Sequence, residues 1–298
     1  CRVNRITRIT RIRTQTHMAF TKGGKTMRNS KTNELVLTGL FTAIIIIMAF
    51  TPLGYIPLVV INATIIHIPV ILGSLFCGPK KGAFLGFVFG FTSCLKATIV
   101  GGTLSSFVFS PVLAASLVGT SGIFKSLFIA FVPRILVGVI PYFVYIGIKK
   151  VLASEKKNLW GTVLNVLMSV FLSFGVYAFL GKMSESLSQA AALGIGIAVG
   201  AVVFIVVEAV FIRKSTQVIP FVYAGVAGAM TNTLLVMGSI FVLYKDAYAD
   251  AIGVAGNAVL GVITGVISFN GVIEAIVAAI IVYLVGLVLN TIKPIAAK

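Results

Sequence analysis

Apolar runs of sixteen to twenty-five residues recur along this chain, separated by charged or Gly/Pro/Ser-containing breaks. They predict eight helices, over 35–52, 63–78, 81–99, 126–148, 160–181, 189–212, 219–243 and 271–291. About 20 apolar residues cross a bilayer, so all but the short second run suffice as membrane spans. Residues 53–62 and 98–120 read as loops, and 244–270 as a long connection whose apolar stretch 252–267 reads as re-entrant or interfacial. An even number of crossings puts both termini on one side.

Composition agrees: 58% of the 298 residues are hydrophobic and 10% charged, against roughly 45–50% and 25% in soluble domains. The formal charge of +17 suggests nucleic acid until the cations are placed. With the N-terminus inside, nine cations of the arm 1–32, Lys80, Lys81, Lys149, Lys150, Lys156, Lys157, Arg213, Lys214, Lys293 and Lys298 are cytoplasmic. Only Lys96, Lys125, Lys182 and Lys245 lie outside. That asymmetry is the positive-inside rule, and it survives removal of the arm. The excess is topological and implies a multi-pass cell-membrane protein with cytoplasmic termini and no nucleic-acid partner. The arm itself, acid-free and poor in core-forming residues, reads as disordered, with Met27 as the natural start.

Candidate chemistry is sparse. Cys77 and Cys94 lie within apolar runs, and His17 and His67 have no partner at ligand spacing, so neither a metal nor a cofactor is expected. Lys22-Gly23-Gly24-Lys25-Thr26 lacks the upstream glycine of a phosphate loop, position 19 being Ala. No catalytic set is present, and an enzyme is not expected.

An ionisable side chain in hydrocarbon is costly unless it faces a cavity or a partner. Arg134, His67, Glu274 and Asn232 fall in four different spans, each between the outer surface and the midplane. One reading is a polar pocket open to the outside, with Arg134 forked onto a carboxylate or phosphate. The other is an Arg134–Glu274 ion pair that stitches helices. His67 serves as a ligand group or as an interhelical hydrogen-bonder. Glu208 neutralises the inner end of its span beside Arg213. The loop 98–112 suits a lid, with Phe107 and Phe109 covering an apolar ligand body. Gly39 and Ala43, and Gly82, Gly86 and Gly90, form small-residue stripes that allow close helix approach.

His67-Ile68-Pro69-Val70-Ile71-Leu72-Gly73, Gly78-Pro79-Lys80-Lys81-Gly82-Ala83 and Gly86-Phe87-Val88-Phe89-Gly90 resemble the substrate-binding S component of energy-coupling-factor (ECF) vitamin transporters. So do Ser106-Phe107-Val108-Phe109-Ser110-Pro111, Pro133-Arg134-Ile135-Leu136-Val137-Gly138, Thr231-Asn232-Thr233 and Asn270-Gly271-Val272-Ile273-Glu274-Ala275. The resemblance implies an all-α integral membrane protein with a six-helix core, formed by 33–148 and 219–298, that captures a vitamin outside. It further implies docking, through Gly39 and Ala43, on a membrane coupling subunit with two cytoplasmic ATPases. Residues 149–218 depart from the family as an inserted pair of transmembrane helices. The motifs lie nearest the pantothenate-type branch, which implies Arg134 on a carboxylate and Asn232, Asn270 and Glu274 on hydroxyl and amide groups. The competing functions are a self-sufficient secondary transporter with Glu274 as coupling carboxylate, and a membrane enzyme built on Arg134 and Glu274.

Overall fold

A computed structural model describes residues 32–57, 62–101, 105–183, 187–214, 219–292 and 295. The arm, apart from Thr32, therefore lies outside the described residues, as do positions 102–104 of the expected lid. Each of the eight predicted helices has a counterpart, and among the described residues seven are long and apolar enough to cross a membrane. The protein is an all-helical, multi-pass membrane protein apart from one small ribbon.

The first helix, α1 (Thr32–Phe50), divides between two compact units, residues up to Leu40 and residues from Phe41 on. After it come a 3-10 turn (Pro52–Gly54) and a ribbon of β1 (Tyr55–Pro57) and β2 (Asn62–Thr64), antiparallel with Tyr55 opposite Thr64. Helix α2 (His67–Cys77) is buried from His67 through Phe76, as a helix apolar on all sides must be. Its eleven residues rise about 16 Å, half the hydrocarbon thickness. Gly78, at φ 89°, turns the chain into α3 (Pro79–Ile99), a backbone conformation that favours glycine, and Pro79 starts the new helix without wasting a donor.

The expected loop 98–120 contains structure. A 3-10 turn (Ser106–Val108) leads to α4 (Pro111–Val118), where the Ser110 hydroxyl caps the helix by accepting from Leu113 N–H. The expected span 126–148 starts earlier and is broken into α5 (Thr120–Val137) and α6 (Ile140–Leu152). Pro141, in the first turn of α6, has no N–H to continue the ladder and clashes with the carbonyl four residues back. At the break, Ser74 Oγ donates to Gly138 O at 2.6 Å.

Helices α7 (Lys157–Met183) and α8 (Gln189–Lys214) pack on each other. Their polar clasp joins Glu208 to Thr162 Oγ1 at 2.5 Å and to Asn165 Nδ2 at 2.7 Å. Glu208 thus pairs across the two helices, while the Arg213 side chain expected beside it lies outside what the structure describes. Helix α9 (Ile219–Ile252) runs beyond the expected 243 and kinks at Tyr244. The apolar stretch before the last span forms α10 (Val259–Val266). A π-turn (Ile267–Gly271) joins it to α11 (Val272–Ile292) in one continuous crossing. Helix α3 packs on α5, while α9 packs on α6 and α11.

Candidate functional site

The site is organised by two consecutive residues of α5. Pro133 lies inside the helix and has no N–H, so the carbonyl of Ile129, four residues back, loses its intrahelical partner. In a membrane that carbonyl must be satisfied by protein. The Arg134 guanidinium does so: Nη1 donates to Ile129 O at 2.6 Å. The same guanidinium lies 4.6 Å from the Phe109 ring centre and 5.5 Å from that of Phe89, a cation–π setting that compensates part of its desolvation.

The glycine stripe of α3 sets its height. A Cβ on Gly86 would collide with the Arg134 carbonyl, one on Gly90 with Ala130 O, and one on Gly82 with Gly138 O. The stripe is thus an internal seam between α3 and α5. Because α5 begins at Thr120, Arg134 is its fifteenth residue, about 21 Å from its start. That is deeper than the span boundaries of the sequence suggest.

Arg134 faces a half-open cavity of about 340 Å³ lined also by Thr64, Phe89, Ser93, Lys96, Ala97, Gly101, Ser106, Phe109 and Asn232. Among the described lining residues there is no carboxylate. In the run Thr231-Asn232-Thr233 the outer hydroxyls are used internally, Thr231 Oγ1 on Ala227 O at 2.6 Å and Thr233 Oγ1 on Glu274 Oε2 at 3.0 Å. The middle amide is left toward the cavity. Asn232 Oδ1 is buried and meets no hydrogen-bond partner among the described residues, so it is an acceptor without a donor.

Glu274 is not among the described lining residues; it fastens the cavity wall. Its Oε1 accepts from Thr64 N–H at 2.8 Å and its Oε2 from Thr233 Oγ1, tying β2 and α9 to α11. Glu274 thus accepts from two donors, and Nη1 of Arg134 donates to the Ile129 carbonyl.

The other candidates separate. Phe109 lines the cavity, whereas Phe107 packs edge-on against Tyr244 at 5.4 Å within an apolar cluster that includes Val108, Ile129 and Val236. Phe109, partly buried, packs against the same cluster, so of the two rings of the expected lid it is the one that also reaches the cavity. His67 is fully buried with neither ring nitrogen bonded among the described residues, and Asn270 is buried in the π-turn with an unpartnered Oδ1. Neither is among the described lining residues. Ala43 is exposed on α1; Gly39 is exposed too, and a Cβ there would meet nothing within 4 Å. Sequence reasoning missed Ser93 and Lys96. With Phe89 and Ala97 they follow the i, i+4, i+7, i+8 spacing of one helical face, a signal obscured by reading each cation alone.

Replacing Pro133 by Ala restores an N–H for the Ile129 carbonyl, which then competes with the guanidinium. The expected result is a straighter helix and ligand affinity weakened about tenfold, the equivalent of one charged hydrogen bond's worth of positioning. Calorimetric titration of Pro133→Ala against the parent checks it.

Fold and cavity together define a multi-pass helical membrane protein enclosing a solute-sized chamber. The family of ECF transporter substrate-specific components matches residues 33–212, more than half of the chain, and this chain belongs to that family of membrane transport proteins. It is 42% identical over 161 residues to the pantothenic acid transporter PanT of Lactococcus lactis subsp. cremoris, covering 50% of this chain and 78% of that protein. To the pantothenate transporter PanT of Leuconostoc mesenteroides subsp. mesenteroides it is 27% identical over 277 residues, covering 91% of this chain and 98% of that one.

Proposed function

We propose that this chain captures pantothenate, or a closely similar small carboxylate, from outside the cell and delivers it inward as the S component of an ATP-driven ECF importer. The observation that carries the reading is the cavity in which a buried guanidinium and an unpartnered amide oxygen sit on facing helices. Arg134 takes the carboxylate, Asn232 accepts from a hydroxyl or amide, and Phe109 covers the apolar body. Its volume, about 340 Å³, lies in the range of chambers that enclose a small molecule. The names of the two relatives agree with this ligand.

The described lining residues come from β2, α3, α5, α9 and the segment between α3 and α4, and none from α7 or α8. This supports a binding core formed by 33–148 and 219–298, with α7 and α8 outside the described lining. The cation asymmetry supports cytoplasmic termini. A membrane coupling subunit and two cytoplasmic ATPases supply the energy, with Gly39 and Ala43 as the docking stripe on α1.

The test is affinity purification of the tagged chain from its native membrane, followed by uptake in liposomes. The expected result is recovery with a membrane subunit and two ATPases, and uptake that needs ATP and all of them. Gly39→Leu is expected to leave vitamin binding unchanged and to break that recovery. Uptake by the chain alone, driven by a proton or sodium gradient, would replace this reading with a secondary transporter.

A further inference from the structure

A second cavity, of about 260 Å³, is lined by Tyr145, Lys149, Leu152, Ala153, Pro220, Phe221 and Asn290. These belong to the last turns of α6, the first turn of α9 and the end of α11, so it lies at the opposite end of the bundle from Arg134. Its floor is apolar: Phe221, Tyr145 and Leu152 are buried, and the Tyr145 and Phe221 rings sit 4.9 Å apart. Two of its side chains, Lys149 and Asn290, offer donors. Lys149 stands exposed. Asn290 spends its Oδ1 on Ile295 N–H at 3.0 Å, which leaves its Nδ2 to donate. Among the described lining residues there is no carboxylate.

We propose that this cavity is a binding site for an anionic phospholipid, with the phosphate on Lys149 and Asn290 and the start of the acyl chains on Phe221 and Tyr145. A rim carrying a cation and an amide donor over an aromatic floor matches an anion carrying an apolar body. Chambers that enclose a whole small molecule run about 300–1,000 Å³. At about 260 Å³ this one takes a headgroup and the first methylenes while the chains remain in the bilayer. Basic pockets between helices at the cytoplasmic boundary are a recognised form of headgroup recognition, and the cation asymmetry puts this end of the bundle there.

Lys150 makes the inference testable, because it is equally basic, one residue along and exposed, yet is not among the lining residues. The full chain is placed in nanodiscs of phosphatidylcholine with or without phosphatidylglycerol, and native mass spectrometry measures the lipid retained. The expected result is one tightly held phosphatidylglycerol, its affinity lowered about tenfold or more by Lys149→Gln, as loss of a charged hydrogen bond requires. Lys150→Gln stays within about fivefold of wild type, the size of a surface charge effect. Phe221→Leu, which stays apolar but removes the ring, lowers retention without touching the charge. Equal losses from Lys149→Gln and Lys150→Gln would overturn the site in favour of interfacial charge alone, and equal retention of phosphatidylcholine would reduce it to an apolar groove. Thermal protection by inorganic phosphate alone, matching that of the lipid, would make it a free-anion site instead. Vitamin binding is not read in any arm, so this result stands or falls separately from the function proposed above.

Discussion

Arg134→Ala is expected to weaken vitamin binding at least about a hundredfold. Removing one partner of a desolvated, hydrogen-bonded charge pair costs roughly 2–5 kcal/mol, largely because the other charge is left buried and unpaired. Arg134→Lys keeps the charge but not the planar fork. It should fall between, about tenfold down. Equilibrium binding in detergent, with size-exclusion and far-ultraviolet circular dichroism on the same samples, is the measurement. The alanine variant also strips a partner from the Ile129 carbonyl, a cost of about 1–3 kcal/mol in stability. The lysine variant therefore matters: folded protein with unchanged affinity in both would reassign Arg134 to repairing the helix at Pro133.

The second large effect is expected from Gly86. A side chain there drives into the Arg134 carbonyl backbone, and backbone cannot swing aside as a side chain can. Gly86→Ala should cost about 1–3 kcal/mol as α5 is pushed outward. Because a binding group must stay within about 0.5 Å of its productive place, affinity should fall with stability. Gly86→Leu should abolish accumulation of folded protein in the membrane. Gly39→Ala is the control, since a Cβ there meets nothing within 4 Å. Thermal melts and membrane yields of the three variants decide; a Gly86→Leu protein that folds normally would show that the α3–α5 seam is not close-packed in the cell.

Both effects trace to residues that stand out in the sequence, but for reasons it does not display. Arg134 is conspicuous as a cation inside an apolar run, and the glycine repeat at 82, 86 and 90 is conspicuous by its spacing. That the two are one device, the stripe setting the height at which Pro133 and Arg134 meet the cavity, follows from α3 lying on α5. Other residues changed meaning on folding. Glu274, which the sequence offers as a ligand group or as the partner of Arg134, also fastens Thr64 and Thr233. Phe107 and Phe109, two residues apart in one loop, share an apolar cluster, and Phe109 also reaches the cavity wall.

Eight apolar runs, their polar breaks and the lopsided cations determine by themselves that this chain is an all-helical multi-pass membrane protein. Transfer of a peptide segment into hydrocarbon depends on its own length and composition, and needs no knowledge of its neighbours. Motif order carries that reading as far as the ECF substrate-specific components. The tertiary structure alone decides which polar groups share a chamber, because hydrogen bonds and cavity walls are made between helices distant in sequence. Glu274 Oε1 meets Thr64 across 210 positions, and Lys96, ordinary at a helix end, joins Arg134 and Asn232 only because α3, α5 and α9 converge.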